Sequence, residues 1–422
     1  MAGPLSPSLL ADSAQVLEND VLVGAVSLTE LAATYGTPLF VYDEATLRAR
    51  AAEAAAAFDD GVAFASKSFL CGAMARLAYE EGLCLDVSAG GEFDLVRRAG
   101  VPASRVIVHG NNKSESELVA AIDARVHRLV VDNFDEVARL KSLVSEARPL
   151  SCLVRVTPGV EAHTHEFIRT GQEDSKFGFS LSSGDARRAI DALGSIPGVS
   201  LHGVHAHIGS QIFEFDGFVE TLRVLADFTR DDAFDEMCVG GGLGVAYVAG
   251  ESAPSISQWG RALRAAATTV GLSTSVRLLA EPGRSIVAAA ALTLYRVGAV
   301  KPVAARTYMA VDGGMSDNPR PVLYGSGYEA FDVARALEER PRALRLVGKH
   351  CESGDVIIDE AFLPAATGVG DLIATPVTGA YGYSMASNYN RVPRPAVVFV
   401  ANGVAREVLR RETFEDLARL EA

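Results

Sequence analysis

From residue 44 onward, short apolar runs alternate with amphipathic stretches. The runs 62–65, 83–87, 105–109, 128–131, 151–157, 201–208, 236–239 and 276–280 are rich in Val, Leu and Ile. Their length and composition predict strands buried on both faces. Between them the apolar spacing turns helical. Leu47, Ala51, Ala54 and Phe58 share one face, as do Leu70, Met74, Leu77 and Ala78 before a stop at Gly82. Ser114 and Glu117 form a capping box ahead of Leu118, Ala121 and Ile122. Eight strands alternating with helices predict an α/β fold, a (β/α)8 barrel entered through a helix. A doubly wound sheet is the competing arrangement, because alternation does not distinguish a closed sheet from an open one. After Arg284 the texture changes: 286–300, 307–311, 343–348, 371–376 and 396–401 are strand-like, without regular helices between them. The expected organisation is an N-terminal segment 1–43 joining a β-rich domain, a barrel over 44–285, and that β domain over 286–422. Strands at 21–26 and 38–42 complete the β domain, and residues 1–20 read as a loose leader.

The chain has 422 residues, 49% of them hydrophobic, and a net charge of -14, which argues against a phosphate-backbone partner. Its five cysteines (Cys71, Cys84, Cys152, Cys238, Cys351) are scattered and form no CxxC pair. That pattern opposes a disulfide framework or zinc knuckle and favours a reducing cytoplasm. The first fifteen residues lack a basic stretch, and the most apolar run, 286–295, is too short to span a bilayer. A cytoplasmic protein is expected.

Barrel enzymes carry their chemistry at the C-terminal strand ends. Here those ends offer Lys67, Asp86, His109 with Asn111, Asp132, Arg155, His207, the glycines Gly240, Gly241 and Gly242, and Glu281. Lys67 follows a buried run, where desolvation disfavours its charge and makes it a nucleophile suited to a Schiff base. An ordinary lysine is neutral about once in 2,500 molecules at pH 7, a penalty of roughly 4.6 kcal/mol that burial and a cation such as Arg284 would reduce. The bland alternative is a snorkelling side chain. A glycine run at such a rim lets backbone N–H groups approach a phosphate. Glu281-Pro282-Gly283-Arg284 adds an acid and a base, or else only a local ion pair. A nucleophilic lysine, a glycine run and a facing carboxylate form the kit for pyridoxal 5'-phosphate, with Asp86 and Gly283 at the same rim. His202, His205 and His207 raise a metal site as rival. Stacking of one imidazole on a flat ring explains them as well, and no metal is expected. His163 and His165 fall in the loop after the fifth strand and are expected to position it.

Longer motifs add a resemblance. HGNNKS at 109–114, TGQEDSKFGFS at 170–180, HAHIGSQ at 205–211, EPGR at 281–284, VDGGMSDNPRPVLYG at 311–325, CESGD at 351–355 and GAYGYSMASNYN at 379–390 resemble the diaminopimelate decarboxylases. These belong to the fold-type III pyridoxal-phosphate decarboxylases, with the ornithine and arginine decarboxylases. The resemblance covers about residues 37–413. It implies an alanine-racemase-like barrel with a C-terminal β domain, working as a homodimer with shared sites. It also implies decarboxylation of meso-2,6-diaminopimelate to L-lysine, the last step of lysine biosynthesis. By this resemblance Lys67 carries the cofactor, His207 stacks on it, and Glu281 pairs with its ring nitrogen. Ser210, the three glycines and Arg284 surround its phosphate. Cys351 is the proton donor from the second subunit, with Glu352 beside it for the distal amine. Arg284, Arg320 and Tyr324 meet the distal carboxylate, and Tyr381 touches both cofactor and substrate. Arg320 fits a substrate with a distal carboxylate better than one ending in a bare ammonium. Its alternative is a role in the dimer interface alone. A decarboxylase of a related diamino acid or polyamine precursor, and a silent regulatory homologue, are the competing functions. One departure is visible: Ser66 and Ser68 flank the lysine where the family more often has Ala-x-Lys-Ala, and these small residues imply no loss of function.

Overall fold

The computed structural model describes residues 3–160 and 175–421. The chain divides into two units, one of Arg50–Gly244 with Ala253–Ser285, the other of Met1–Ala49, Val245–Ser252 and Ile286–Ala422. Among the described residues no helix is long and apolar enough to cross a membrane.

Among the described residues, eight parallel strands of the first unit follow one another around its sheet, with a short ninth, Phe179–Ser180, beside the fifth: β1 (Ala63–Ala65), β2 (Cys84–Val87), β3 (Val106–Val108), β4 (Arg128–Val131), β5 (Leu150–Thr157), β6 (Val199–His205), β7 (Glu236–Cys238) and β8 (Arg277–Leu279). Each pairs with the next in chain order. A parallel bridge from Val62 to Ala280 joins β1 to β8. There Ala63 N–H donates to Ala280 O and Ala280 N–H to Gly61 O, both at 2.9 Å. This seam makes the sheet a closed barrel, not a doubly wound sheet. It needs glycine at 61, since a Cβ there would lie 2.3 Å from the Leu278 carbonyl oxygen. Inside, Ala63, Cys84, Ile107, Val130, Leu153, Cys238 and Leu279 form a buried layer. Two of the five cysteines thus serve as small core hydrophobes. At the N-terminal end, Arg128 of β4 grips Glu236 of β7 through two hydrogen bonds of 2.7 Å, a buried bidentate pair that ties two non-adjacent strands together.

In the second unit the sheet runs Val356–Leu363, Arg342–Val347, Arg306–Val311, Ala291–Val303, Leu39–Asp43, Ala396–Ala401, Val404–Leu409. Leu39–Asp43 lies antiparallel to Ala291–Val303 and parallel to Ala396–Ala401, so the N-terminal segment supplies a central strand. Residues 1–20 are not a loose leader in their described part. Leu5, Leu9 and Leu10 are buried, and Arg340 Nε donates to Gly3 O at 2.7 Å. Three leucines seeking cover outweigh the polar positions between them. The strand expected from 286 begins only at Ala291, after a helical turn, Arg284–Val287, because an unbroken apolar run does not show where a buried turn ends.

Asp317 lies deep in this unit, accepting from the Tyr295 hydroxyl at 2.6 Å and from Gly314 N–H at 2.8 Å. Burial pushes its carboxyl up to about 7. Between about pH 4 and pH 7 the unfolded chain has released this proton while the folded chain keeps it, so stability falls as pH rises through that window. Asp317→Asn should flatten the fall. Thermal midpoints of both proteins at several pH values test this, and parallel curves would exclude Asp317 as the titrating group.

Candidate active site

β1 ends at Ala65 and passes directly into a single 3-10 turn, Ser66–Ser68, that carries Lys67; the following helix starts only at Gly72. Both flanking serines are fully buried. Ser68 Oγ donates to Ala65 O at 2.8 Å and closes the turn, which an alanine could not do. Lys67 lines a cavity of about 260 Å³ with Asp86, His109, Arg155, His205, His207 and Glu281. Lys67 is itself exposed, so the burial that the sequence suggests for it is not met; the buried rim lysine is Lys113, which plays a different part. Its Nζ donates to Gly110 O at 2.6 Å and Val130 O at 2.8 Å and pairs with Glu136 at 3.0 Å. With all three donors engaged, it is a structural staple.

Glu281 is the electrostatic centre. Its Oε1 lies 2.9 Å from His109 Nε2 and its Oε2 lies 3.0 Å from His205 Nε2. Burial alone would raise this carboxyl, but the two imidazoles hold it well below the usual range. Burial opposes charge on His109 too, yet Asp86, 3.7 Å away, and Glu281 raise it. Burial takes His205 down to about 4, so it donates to Glu281 as a neutral ring. Burial also raises the Asp86 carboxyl, whose Oδ1 is buried without a hydrogen-bond partner. His109 and His205 stand T-shaped, 4.9 Å apart. Arg155 pairs with Asp132 at 3.7 Å and lies over Phe177 at 4.3 Å.

His207 sits beyond the end of β6, half-buried. Its Nδ1 accepts from Gly241 N–H at 3.1 Å, leaving Nε2 as the protonated nitrogen. Burial, then the charges of Lys67 and Arg155, push its pKa well below the ordinary value. The glycine run is required by packing. A Cβ at Gly241 would lie 2.1 Å from the Glu281 carbonyl oxygen, and one at Gly242 would lie 2.3 Å from that of Gly209. Gly240 and Gly283 share this crowded rim, and Arg284 Nη2 reaches Ser210 Oγ at 2.9 Å.

The remaining candidates belong to the β-rich unit. Cys351 is exposed, whereas the other four cysteines are buried. Glu352 sits beside it, exposed, and Oε1 of Glu352 lies 3.3 Å from Gly354 N–H. Arg320 is buried at 4% exposure. Its guanidinium lies 4.1 Å over the Tyr247 ring and donates to the Tyr328 hydroxyl. Tyr324 and Tyr381 are half-buried, the latter in the left-handed region at φ 58°.

Sequence reasoning put His109 and Arg155 at strand ends but gave them no role, and it missed Tyr247 and Tyr328. His205 entered only through the metal rival. That rival grouped it with His202, which instead pairs with Asp235 at 3.0 Å. His109, His205 and Glu281 do place possible ligand atoms within 4.8 Å of one another, and their mutual hydrogen bonds account for the arrangement. His163 and His165 lie outside the described residues.

A closed barrel with a lysine and a histidine-held carboxylate at its rim is the frame of a pyridoxal-phosphate lyase. The family model for the pyridoxal-binding domain of pyridoxal-dependent decarboxylases matches residues 44–288. The diaminopimelate decarboxylase of Mycobacterium tuberculosis (strain H37Rv) is 48% identical, covering 95% of this chain and 94% of its own. That of Bacillus subtilis is 47% identical, covering 94% of each. The crystal structure of the M. jannaschii enzyme with L-lysine is 28% identical, with a TM-score of 0.89 over 97% of this chain and 98% of its own. The chain belongs to the diaminopimelate decarboxylase family. Its cofactor is pyridoxal phosphate, and the residues fit that group: Glu281 keeps lone pairs beyond its two histidine bonds, and the orphaned Asp86 Oδ1 awaits a donor.

Proposed function

We propose that the protein removes one carboxylate from meso-2,6-diaminopimelate as carbon dioxide, leaving L-lysine. The observation that carries this reading is the rim cavity in which Lys67 and His207 share space with a Glu281 anion fixed by two histidines. The lysine bound to the M. jannaschii relative supports the product assignment. The bound cofactor supplies an electron sink for the pair that the departing carboxylate leaves behind. Lys67 holds the cofactor covalently. Glu281, kept ionised, serves the ring nitrogen, and neutral His207 offers a flat face without a competing charge. Asp86, Ser210, Gly240, Gly241, Gly242, Gly283, Arg284 and Tyr381 complete the cofactor site. Arg284, Arg320, Tyr324, Glu352 and Tyr381 bind the substrate. Arg320 is clasped by two tyrosines, so its charge is pre-oriented toward a carboxylate and opposes a bare ammonium. Cys351 of a second copy donates the proton, which makes the working unit a homodimer, placed in the cytoplasm.

Carbon dioxide release from diaminopimelate, lysine, ornithine and arginine tests the substrate. Diaminopimelate alone should turn over. Arg320→Ala should raise the apparent KM at least tenfold, given about 2–5 kcal/mol for truncating a buried charge-assisted contact. Wild-type turnover at low substrate would end the selectivity role.

Borohydride should fix the cofactor on the peptide carrying Lys67. A label on Lys113 or any other lysine removes Lys67 from the role.

Lys67→Ala and Cys351→Ala should each be nearly inactive. Mixed with subunit exchange, half the dimers become hybrids with one intact site of two, so about a quarter of wild-type activity should return. No recovery despite proven exchange would place both groups on one chain.

A further inference from the structure

The GAYGYSMASNYN motif ends in a segment whose geometry the reaction chemistry leaves unexplained. Asn390 stands in the left-handed region at φ 51°, ψ 23°, and Arg391 follows at φ 56°. Two consecutive non-glycine residues there are strained, so the surrounding structure must hold them for a reason. That reason lies across the unit. Asn390 Oδ1 accepts from Cys351 N–H at 3.3 Å and lies 3.2 Å from His350 Nδ1. A carbonyl oxygen only accepts, so Nδ1 carries the proton and His350 Nε2, 2.8 Å from Ser316 Oγ, is left to the hydroxyl. The His350 ring is covered by Tyr389 at 5.4 Å. Behind it, the buried Asp355 carboxylate takes His350 N–H at 2.8 Å and Met315 N–H at 2.7 Å. The 348–355 turn is therefore tied to 313–318 at its base and to Asn390 at the residue that bears the thiol.

We propose that Asn390 and His350 are positioning residues that brace the Cys351 turn, with the left-handed backbone at Asn390 retained because it aims one oxygen at both donors. The catalytic benefit rests on Cys351 being the proton donor; the brace itself does not.

Cys351 is the exposed cysteine among four buried ones, so iodoacetamide reports on it selectively in the holoenzyme. Asn390→Gly relieves the backbone and removes the oxygen, so the fold is preserved. Its alkylation rate at Cys351 should shift at least threefold from wild type. Its kcat should fall between about tenfold and a hundredfold, as for a misplaced reacting group, with KM and cofactor content unchanged. Asn390→Asp keeps an acceptor and tolerates the same backbone, and should recover most of both. His350→Phe, which keeps the ring against Tyr389 but not the hydrogen bonds, should resemble Asn390→Gly. Wild-type alkylation and kcat in Asn390→Gly, or an Asp variant as damaged as the Gly one, would overturn the brace. Cys351→Ala tests the underlying reading separately. Turnover retained there removes the thiol's catalytic role, and the alkylation rates then decide the brace alone.

Discussion

Burying a carboxylate at the end of β8 costs several kcal/mol unless donors meet both of its oxygens, and the rim of this barrel is arranged around meeting that demand at Glu281. The donors come from β3 and β6, which reach it only because the sheet closes. The seam between Val62 and Ala280 brings β1 and β8 side by side, so Lys67, from the start of the barrel, and Glu281, from its end, line one cavity. Gly61 and Gly241 are the points where a methyl group would push the strands apart. Closure, the histidine pair and the lysine's place are three consequences of one constraint.

That constraint also sorts the charges. His109 stands between Asp86 and Glu281, whose charges favour its protonated form and raise its pKa, while His205, with one carboxylate contact against full burial, stays neutral. His207 faces Lys67 and Arg155 rather than a carboxylate and is neutral too. Imidazoles within one rim are thus pushed in opposite directions according to whether their neighbours outweigh desolvation. A neutral ring at His207 adds no positive charge to the rim, while Glu281 keeps its negative one.

Much of this was legible in the chain. All eight barrel strands follow from short apolar runs, most of them buried on both faces and so without an alternation to confuse with a helix. The rim residues follow from the strand ends. What could not be read is which rim groups meet across the barrel. Glu281 and Arg284 are three positions apart and suggest a local ion pair, yet Glu281 turns to His109 and His205 while Arg284 reaches Ser210. Lys67 follows a buried run, which suggests a buried lysine, yet it is exposed, and the buried lysine of this rim is Lys113, held by two backbone carbonyls and Glu136. In the β-rich unit, Val356–Leu363 was missed because Asp359 and Glu360 face solvent in mid-strand, breaking the apolar run. Val404–Leu409, with no buried position and Arg406-Glu407 at its centre, was missed as well.

The β-rich unit meets a different demand, holding polar groups still without burying them in a barrel rim. Arg320 is fixed by rings rather than by an acid: a carboxylate partner would neutralise its charge, whereas Tyr247 and Tyr328 restrain the guanidinium and leave that charge available. The Cys351 turn is held from two sides. Asp355 anchors it at the base, bound to the backbone N–H groups of Met315 and His350. The side-chain oxygen of Asn390 makes the contact at Cys351 itself and lies 3.2 Å from His350 Nδ1. The left-handed backbone at Asn390 is the cost of putting one acceptor within reach of both.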